Sequence, residues 1–278
     1  IISYLDINKL HSISQRQNMA FLAEFLANEI TESSSLACNL LLALGRYLND
    51  YNYWLLFGAR NTYQFTHYIQ NYNYDENCYE NFSTAKECLE KALKIFHEKK
   101  LKNENGIQAR LYSNLGATYF NIRDFENAAL CHERALELRN IEFGESDIKT
   151  LTSRRRLATS NLELKNYDIA FTCYKKNLDL LINSQNCSFM ELSKANYDCG
   201  KLLLRKGDLN AALNYLETAI QELEKEKIEQ IDFLGAAQLY FITAKTIFDI
   251  IEPTNSQNSK NRILELTQKA EKHIDELD

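Results

Sequence analysis

Cysteine and histidine are the residues of this sequence whose side chains could bind a metal or attack a substrate. Seven cysteines stand at positions 38, 78, 88, 131, 173, 187 and 199, and no two of them form a Cys-x-x-Cys pair. Zinc sites are usually built from closely spaced ligand pairs, so this spacing predicts no metal site. An odd number of unpatterned cysteines is typical of reduced thiols packed in a cytosolic protein. We therefore expect no cofactor.

Cys131 and His132 are the one place where a cysteine and a histidine adjoin. Neighbours on a helix point about 100° apart, so these two side chains cannot form a catalytic pair with each other. No glycine loop of the phosphate-binding Gly-x4-Gly-Lys type is present. The remaining histidines are isolated in sequence (His11, His67, His97 and His273). These patterns predict that the protein is not an enzyme.

The elements that carry these residues are predicted to be paired helices, and residues 111–138 show the arrangement best. Two short amphipathic helices are joined by a turn at residues 121–124, with Gly116 in the first helix and Ala128 in the second. Small residues that face each other let two helix backbones approach closely. A helix pair of this size cannot bury its own apolar faces, so further pairs must stack against it.

Copies of this stretch follow at a constant spacing. The aromatic residue after the turn, Phe125, is matched by Tyr167 and then by Leu209, which gives two steps of 42 residues. Cys131 and Cys173 fall at the same position of the repeat and support this register. A fixed period of this length is the signature of a repeat architecture.

Residues 106–226 resemble tetratricopeptide repeats (TPRs), whose signature is a bulky residue, a Leu-Gly pair, a tyrosine and two alanines in the partner helix. The step of 42 residues exceeds the usual length of about 34 and resembles the longer repeats of kinesin light chains. The second copy departs at Asn161, where the family has tyrosine, and at Asn177, where it has alanine. The resemblance implies an all-α fold, a right-handed superhelical solenoid of about six antiparallel helix pairs.

Three parts of the chain are expected to form one continuous solenoid domain. Residues 1–105 form a degenerate helical-hairpin or TPR-like region, and residues 106–226 form the three clear repeats. Residues 227–278 form a C-terminal helix pair that acts as a cap. One proline, eight glycines and 45% hydrophobic residues agree with a helical chain that buries a large core.

Charge and hydropathy exclude two classes of partner. The chain has 32 basic and 38 acidic residues, a net charge of −6, whereas nucleic-acid binders are normally basic. No run of 18 apolar residues is present, so no membrane span is expected. We therefore expect a cytoplasmic protein whose partner is another protein.

In the family, partners bind the inner wall of the superhelix, which is made from the first helix of each pair. The inner positions transferred to this chain hold six basic and two acidic residues in a chain that is acidic as a whole. A basic wall favours an acidic or large partner surface, held by guanidinium–carboxylate bonds; a merely solvated charged face is the alternative. The run Arg154–Arg156 is expected to be the strongest contact. The expected partner-binding residues on this concave face are Arg110, Asn114, Asn121, Arg155, Arg156, Lys194, Tyr197, Lys201 and Arg205.

These residues favour a non-enzymatic scaffold that holds a partner protein and regulates it. A composition rich in Asn, Ile, Lys and Tyr resembles repeat proteins of intracellular bacteria, which suggests an effector in the host cytosol that binds and restrains another effector. Two alternatives remain: a receptor for a short signalling peptide, and a kinesin light chain-like cargo adaptor. Peptide receptors of this kind carry an N-terminal output module, and residues 1–35 lack a convincing DNA-recognition helix, which counts against the first alternative. The sequence has no heptad segment, which counts against the second.

Overall fold

The computed structural model describes residues 76–98, 106–184, 187–227, 233–251 and 257–275, together with Cys38, Leu41, Leu42 and Gly45. Within these ranges the regular structure consists of nine helices and no strand, which confirms the all-α prediction. The helices expected near residues 6–30 and 53–72 lie outside the described residues. The nine helices are α1 (Glu76–Glu98), α2 (Ile107–Asn121), α3 (Phe125–Phe143), α4 (Ile148–Glu163), α5 (Tyr167–Ile182), α6 (Phe189–Lys206), α7 (Leu209–Leu223), α8 (Phe233–Ile251) and α9 (Gln257–Asp275).

Contacts divide the chain into two compact units, Ile1–Ser160 and Asn161–Asp278. In the first unit α2 packs against α1 and α3. In the second unit α6 packs against α5 and α7, and α8 packs against α7 and α9. Helices that follow each other in sequence are thus neighbours in space, as short connections require.

The turns that join paired helices have the same backbone conformation at intervals of 42 residues. Arg123, Lys165 and Gly207 all have positive φ, at 64°, 63° and 87°. In each turn the next residue donates its backbone N–H to the carbonyl oxygen five residues earlier, at 2.9 to 3.0 Å. This left-handed residue with its six-to-one bond is the Schellman ending of a helix. The backbone therefore confirms the repeat length predicted from the sequence.

Each of these turns leads directly into a second helix whose N-cap residue also recurs every 42 positions. Asp124 and Asp208 accept a hydrogen bond from the backbone N–H three residues on, at 3.2 and 3.1 Å. The equivalent Asn166 forms no such bond, and its amide instead donates to Asn161 Oδ1 at 3.2 Å. A carboxylate at an N-cap satisfies an unpaired N–H and interacts favourably with the helix dipole. Asn161 stands where the family has tyrosine, and here its side chain accepts a hydrogen bond from the turn residue Asn166.

Glycines mark the places where the two helices of a pair approach most closely. A Cβ atom at Gly116 would lie 2.6 Å from the His132 ring, and one at Gly200 would lie 2.9 Å from Leu216. In both pairs the opposing residue follows the glycine by 16 positions. Carbon atoms in dense protein interiors do not approach this closely, so a larger residue would separate the helices. We call the close approach between Gly116 and His132, and between Gly200 and Leu216, the pair contact.

The helix α1 takes the role of a second helix in a similar contact. A Cβ atom at Gly45 would lie 2.6 Å from Leu89 Cγ. Ala85, Leu89 and Ala92 are fully buried, as their match to second-helix positions of the repeat predicts. Gly45 therefore has its counterpart in α1 despite the long stretch of sequence that separates it from Leu89.

His132 sits at the pair contact of the first unit as a packing group. Its side chain is 2% exposed, and Nδ1 has no hydrogen-bond partner among the described residues. Burial, together with the positive charges of Arg156 and Arg139, lowers the pKa of His132 to about 3. The imidazole is therefore neutral in the folded protein at physiological pH.

Replacement of Gly116 by alanine should destabilise the protein although alanine is the better helix former by about 1 kcal/mol. The added methyl group would meet a buried ring, and overpacking of this kind costs about 1–3 kcal/mol. We expect Gly116→Ala to lower the free energy of unfolding measured in urea, and we expect His132→Ala in the same chain to relieve most of that additional loss. If Gly116→Ala alone were as stable as the parent, the close approach of the two helices at Gly116 would be contradicted.

The neutral state of His132 should make folding sensitive to mild acid. The folded-state pKa lies below the unfolded value near 6.5, so the unfolded chain takes up the proton first and stability falls as pH drops below that value. Between pH 7 and pH 5 we expect the parent to lose about 2 kcal/mol more than His132→Gln, since each pH unit is worth about 1.4 kcal/mol. Urea unfolding at the two pH values measures this difference. Equal losses in the two proteins would show that His132 is protonated or solvated when folded.

Candidate partner-binding face

In the first unit, the predicted residues of α2 lie on the side of the helix that faces away from the core. Arg110, Asn114 and Asn121 fall within about 40° of one another around the helix axis. Arg110 is exposed, and the two asparagines are half-buried. The amide of Asn114 donates to the carbonyl oxygen of Arg110 at 2.8 Å, which holds the Asn114 side chain along this stripe.

Arg156 connects α4 to this stripe of α2. Its Nη1 donates to the hydroxyl of Ser113 at 2.7 Å and to the carbonyl oxygen of Ser113 at 3.3 Å. Arg155 and Arg156 are both exposed. The structure therefore brings the five residues predicted for the first unit onto two neighbouring helices. We call them the α2–α4 surface: Arg110, Asn114, Asn121, Arg155 and Arg156.

Arg154 does not belong to this surface, so the prediction that all of Arg154–Arg156 forms the contact is wrong for its first member. Arg154 is only 4% exposed. Successive residues of a helix are rotated by about 100°, and this rotation turns Arg154 towards the core while Arg155 and Arg156 face outward. A buried guanidinium is a structural group, and its replacement would disturb folding before binding.

In the second unit, the predicted residues follow one stripe of α6. Lys194, Tyr197, Lys201 and Arg205 are separated by three, four and four residues, which keeps side chains on one face of a helix. The two lysines and the tyrosine are half-buried, and Arg205 is exposed. Tyr197 packs against the hydrophobic core of this unit. We call these four residues the α6 surface.

Arg205 is already paired with a carboxylate of its own chain. Its Nη1 lies 2.7 Å from Glu163 Oε1 at the end of α4. Both side chains are partly exposed, and ion pairs of this type contribute only about 0–1 kcal/mol. The sequence could not reveal this pair, because the two residues are distant in the chain and meet only in the folded protein.

Cys131 and His132 are placed as packing residues. Burial, together with the carboxylates of Glu90 and Asp124, raises the pKa of the Cys131 thiol to about 12. A thiol with so high a pKa is not a nucleophile at neutral pH. The six cysteines whose side chains are described are all reduced thiols.

Within the described ranges no group of three or more His, Cys, Asp or Glu residues is placed to hold a metal ion. The helices in the same ranges are too short or too polar to cross a membrane.

Comparison with known proteins identifies the repeat. The family model described as Tetratricopeptide repeat matches residues 108–148, which include α2, α3 and the turn between them. No curated protein matches the sequence. The matched residues contain the Gly116–His132 pair contact and the Schellman turn at Arg123.

Solved structures extend the similarity to most of the chain. BtubC (BKLC) from P. vanneervenii is 15% identical, with 87% of this chain and 92% of that chain covered and a TM-score of 0.56. A Podosopora anserina protein with nearly identical, kinesin light chain TPR-like repeats is 12% identical, with 81% and 95% covered and a TM-score of 0.56. A Rap protein complexed with Competence and Sporulation Factor is 14% identical, with 97% and 74% covered and a TM-score of 0.52.

Identities this low establish the fold alone. The chain therefore carries a tetratricopeptide repeat at residues 108–148, and its described helices have the all-α fold of TPR-like proteins with kinesin light chain-type repeats.

Proposed function

We propose that this protein is a non-enzymatic scaffold that holds an acidic segment of a partner protein on its first-helix surfaces and thereby regulates that partner. The observation that carries the proposal is the exposure of Arg110, Arg155 and Arg156 together on the α2–α4 surface of a chain whose net charge is −6. Helices that stack in pairs present their first helices side by side, and such surfaces are used for binding in solenoids.

The chemistry of the α2–α4 surface suits carboxylates. A guanidinium presents several N–H donors in a planar fork that matches the two oxygens of Asp or Glu. The bond from Arg156 to Ser113 orients one such fork beside α2. Asn114 and Asn121 lie along the same helix and can donate or accept bonds to the main chain of a bound segment.

On the α6 surface, Arg205 can exchange the carboxylate of Glu163 for a carboxylate of the partner. Glu163 holds Arg205 in a partly exposed ion pair, so an acidic side chain of a partner could take its place at little expense in free energy. Lys201 lies one turn before Arg205 on the same stripe of α6 and Lys194 two further turns away, and both add favourable charge.

The cellular setting is part of the proposal. Reduced thiols at every described cysteine side chain support a reducing, cytoplasmic compartment. If this protein restrains its partner by occupying the partner's acidic segment, it would act as one effector that controls another.

Reversal of charge on the α2–α4 surface should abolish partner binding. We expect Arg110→Glu/Arg155→Glu to weaken binding at least tenfold, because two attractions become repulsions, and we expect the parental affinity to fall with salt. Proteins captured from cells of the source organism by the parent would be identified by mass spectrometry, purified, and titrated by calorimetry. Arg134→Glu is the matched control, since Arg134 is an exposed arginine of α3 that pairs with Glu137. Equal affinity of parent and double variant would exclude the basic surface.

A receptor for a short peptide is the second candidate. The Rap protein of similar fold was solved as a complex with Competence and Sporulation Factor, and a helical-repeat chain of this length can enclose a peptide. Competition separates the two candidates: a receptor would bind the isolated peptide as tightly as any folded protein that contains it, whereas a scaffold for a large surface would not.

A further inference from the structure

The helix α8, expected from the sequence to form part of a cap, has the burial pattern of a first helix. Seven of the eight buried residues of α6 have buried counterparts in α8 at a constant shift of 44 residues, the exception being Asp198, and Ala244 stands at the position of Gly200. The corresponding buried positions are 193, 195, 196, 199, 200, 202 and 203 in α6, and 237, 239, 240, 243, 244, 246 and 247 in α8. The open side of α8 is therefore the counterpart of the α6 surface.

The open side of α8 is apolar where that of α6 is mixed. The shift of 44 residues places Phe241 and Lys245 at the positions of Tyr197 and Lys201, and Phe248 one turn further. Phe241 is 49% exposed and Phe248 is 54% exposed. Seven residues separate the two rings, which corresponds to about 10 Å along the helix axis. Two large rings left in water on one stripe favour a binding role over scattered surface apolarity.

Helices α6 and α8 border the same hydrophobic core. Tyr197 and Leu204 of α6 and Ile242 of α8 are half-buried and pack against the core cluster that includes Tyr240 and Ile247. Apolar area thus continues from the interior onto the open side of both helices. A partner that covers the two phenylalanine rings would extend this core outward.

The charges around the two rings select an acidic partner. Lys245 is exposed between Phe241 and Phe248, and no described residue forms an ion pair with it. Lys194 and Lys201 lie on the corresponding stripe of α6, which borders the same core, whereas Asp249 is the one acidic residue of α8. Basic residues thus outnumber acidic ones around an apolar centre, which complements a negatively charged amphipathic segment.

We propose that Tyr197, Phe241 and Phe248, flanked by Lys194, Lys201 and Lys245, form a docking site for an acidic amphipathic helix of a partner protein. Such a helix would place two apolar side chains seven residues apart against Phe241 and Phe248, because both helices rise equally per residue. Its carboxylates would then lie beside the three lysines. This inference rests on the proposed scaffold function and adds an apolar requirement to it.

Fluorescence anisotropy with designed peptides tests this site directly. The probe is a fluorescein-labelled 18-residue helical peptide with leucines at three- and four-residue intervals on one face and glutamates on the other. We expect it to bind the parent, and we expect Phe241→Ala/Phe248→Ala to weaken binding at least tenfold. Lys245→Glu should also weaken binding, with a smaller salt dependence. Leu264→Ala, which removes an exposed leucine from α9, is the matched control and should bind as the parent does.

Three results would overturn the docking site. Unchanged binding by the double phenylalanine variant would exclude the two rings as anchors. Equal binding of a probe with alanines in place of leucines would show that the surface recognises charge alone. A parent dimer in sedimentation that the double variant loses would make a second copy of this chain the occupant.

The same panel separates this inference from the scaffold function. In one outcome Arg110→Glu/Arg155→Glu no longer binds the natural partner, while the double phenylalanine variant binds both the partner and the peptide as the parent does. This outcome would support the scaffold function and exclude only the apolar docking site. Unchanged partner binding by both variants would exclude the proposed first-helix surfaces as the partner's binding site, whatever the peptide does.

Discussion

The pair contact between a small residue of one helix and a bulky residue 16 positions later is the constraint on which the fold depends. Gly116 against His132 and Gly200 against Leu216 bring the paired backbones to a distance that no side chain at the glycine would permit. Contact at this distance fixes which side of each first helix is buried. The remaining side is then open at every repeat, so the surfaces available to a partner follow from where the small residues stand.

The turns preserve this arrangement from one repeat to the next. A left-handed residue at 123, 165 and 207 ends each first helix at the same point relative to its small residue. The chain accepts unfavourable φ values at Arg123 and Lys165, which cost about 1 kcal/mol or more each for residues other than glycine. A conformation that recurs despite this strain shows that the angle between paired helices is set by packing and imposed on the turn.

The sequence predicts the parts of this fold that depend on local patterns. Gly116, Asp124 and the alanines of the second helix repeat at a spacing visible in the chain, so the helices, the turn positions and the period could be predicted. The burial of Arg154 follows from helical spacing, because Leu151 and Ala158 lie three residues before it and four residues after it on the core face, and the expectation of a contact over the whole run Arg154–Arg156 overlooked this spacing. The role of α8 was hidden, since its shift is 44 residues instead of 42 and an alanine replaces the glycine. The Arg205–Glu163 pair joins two residues that are distant in the chain, so no local pattern encodes it.

Hydrogen–deuterium exchange on Gly200→Leu tests the central role of the pair contact most directly. A leucine at this position would meet Leu216, whose nearest carbon lies 2.9 Å from the site of the added Cβ. The account predicts that amide protection falls in both α6 and α7, while Lys201→Leu, which adds the same side chain on the open side, leaves protection in both helices unchanged. Protection in α7 equal to that of the parent would show that the two helices are held together by other contacts and would contradict the account.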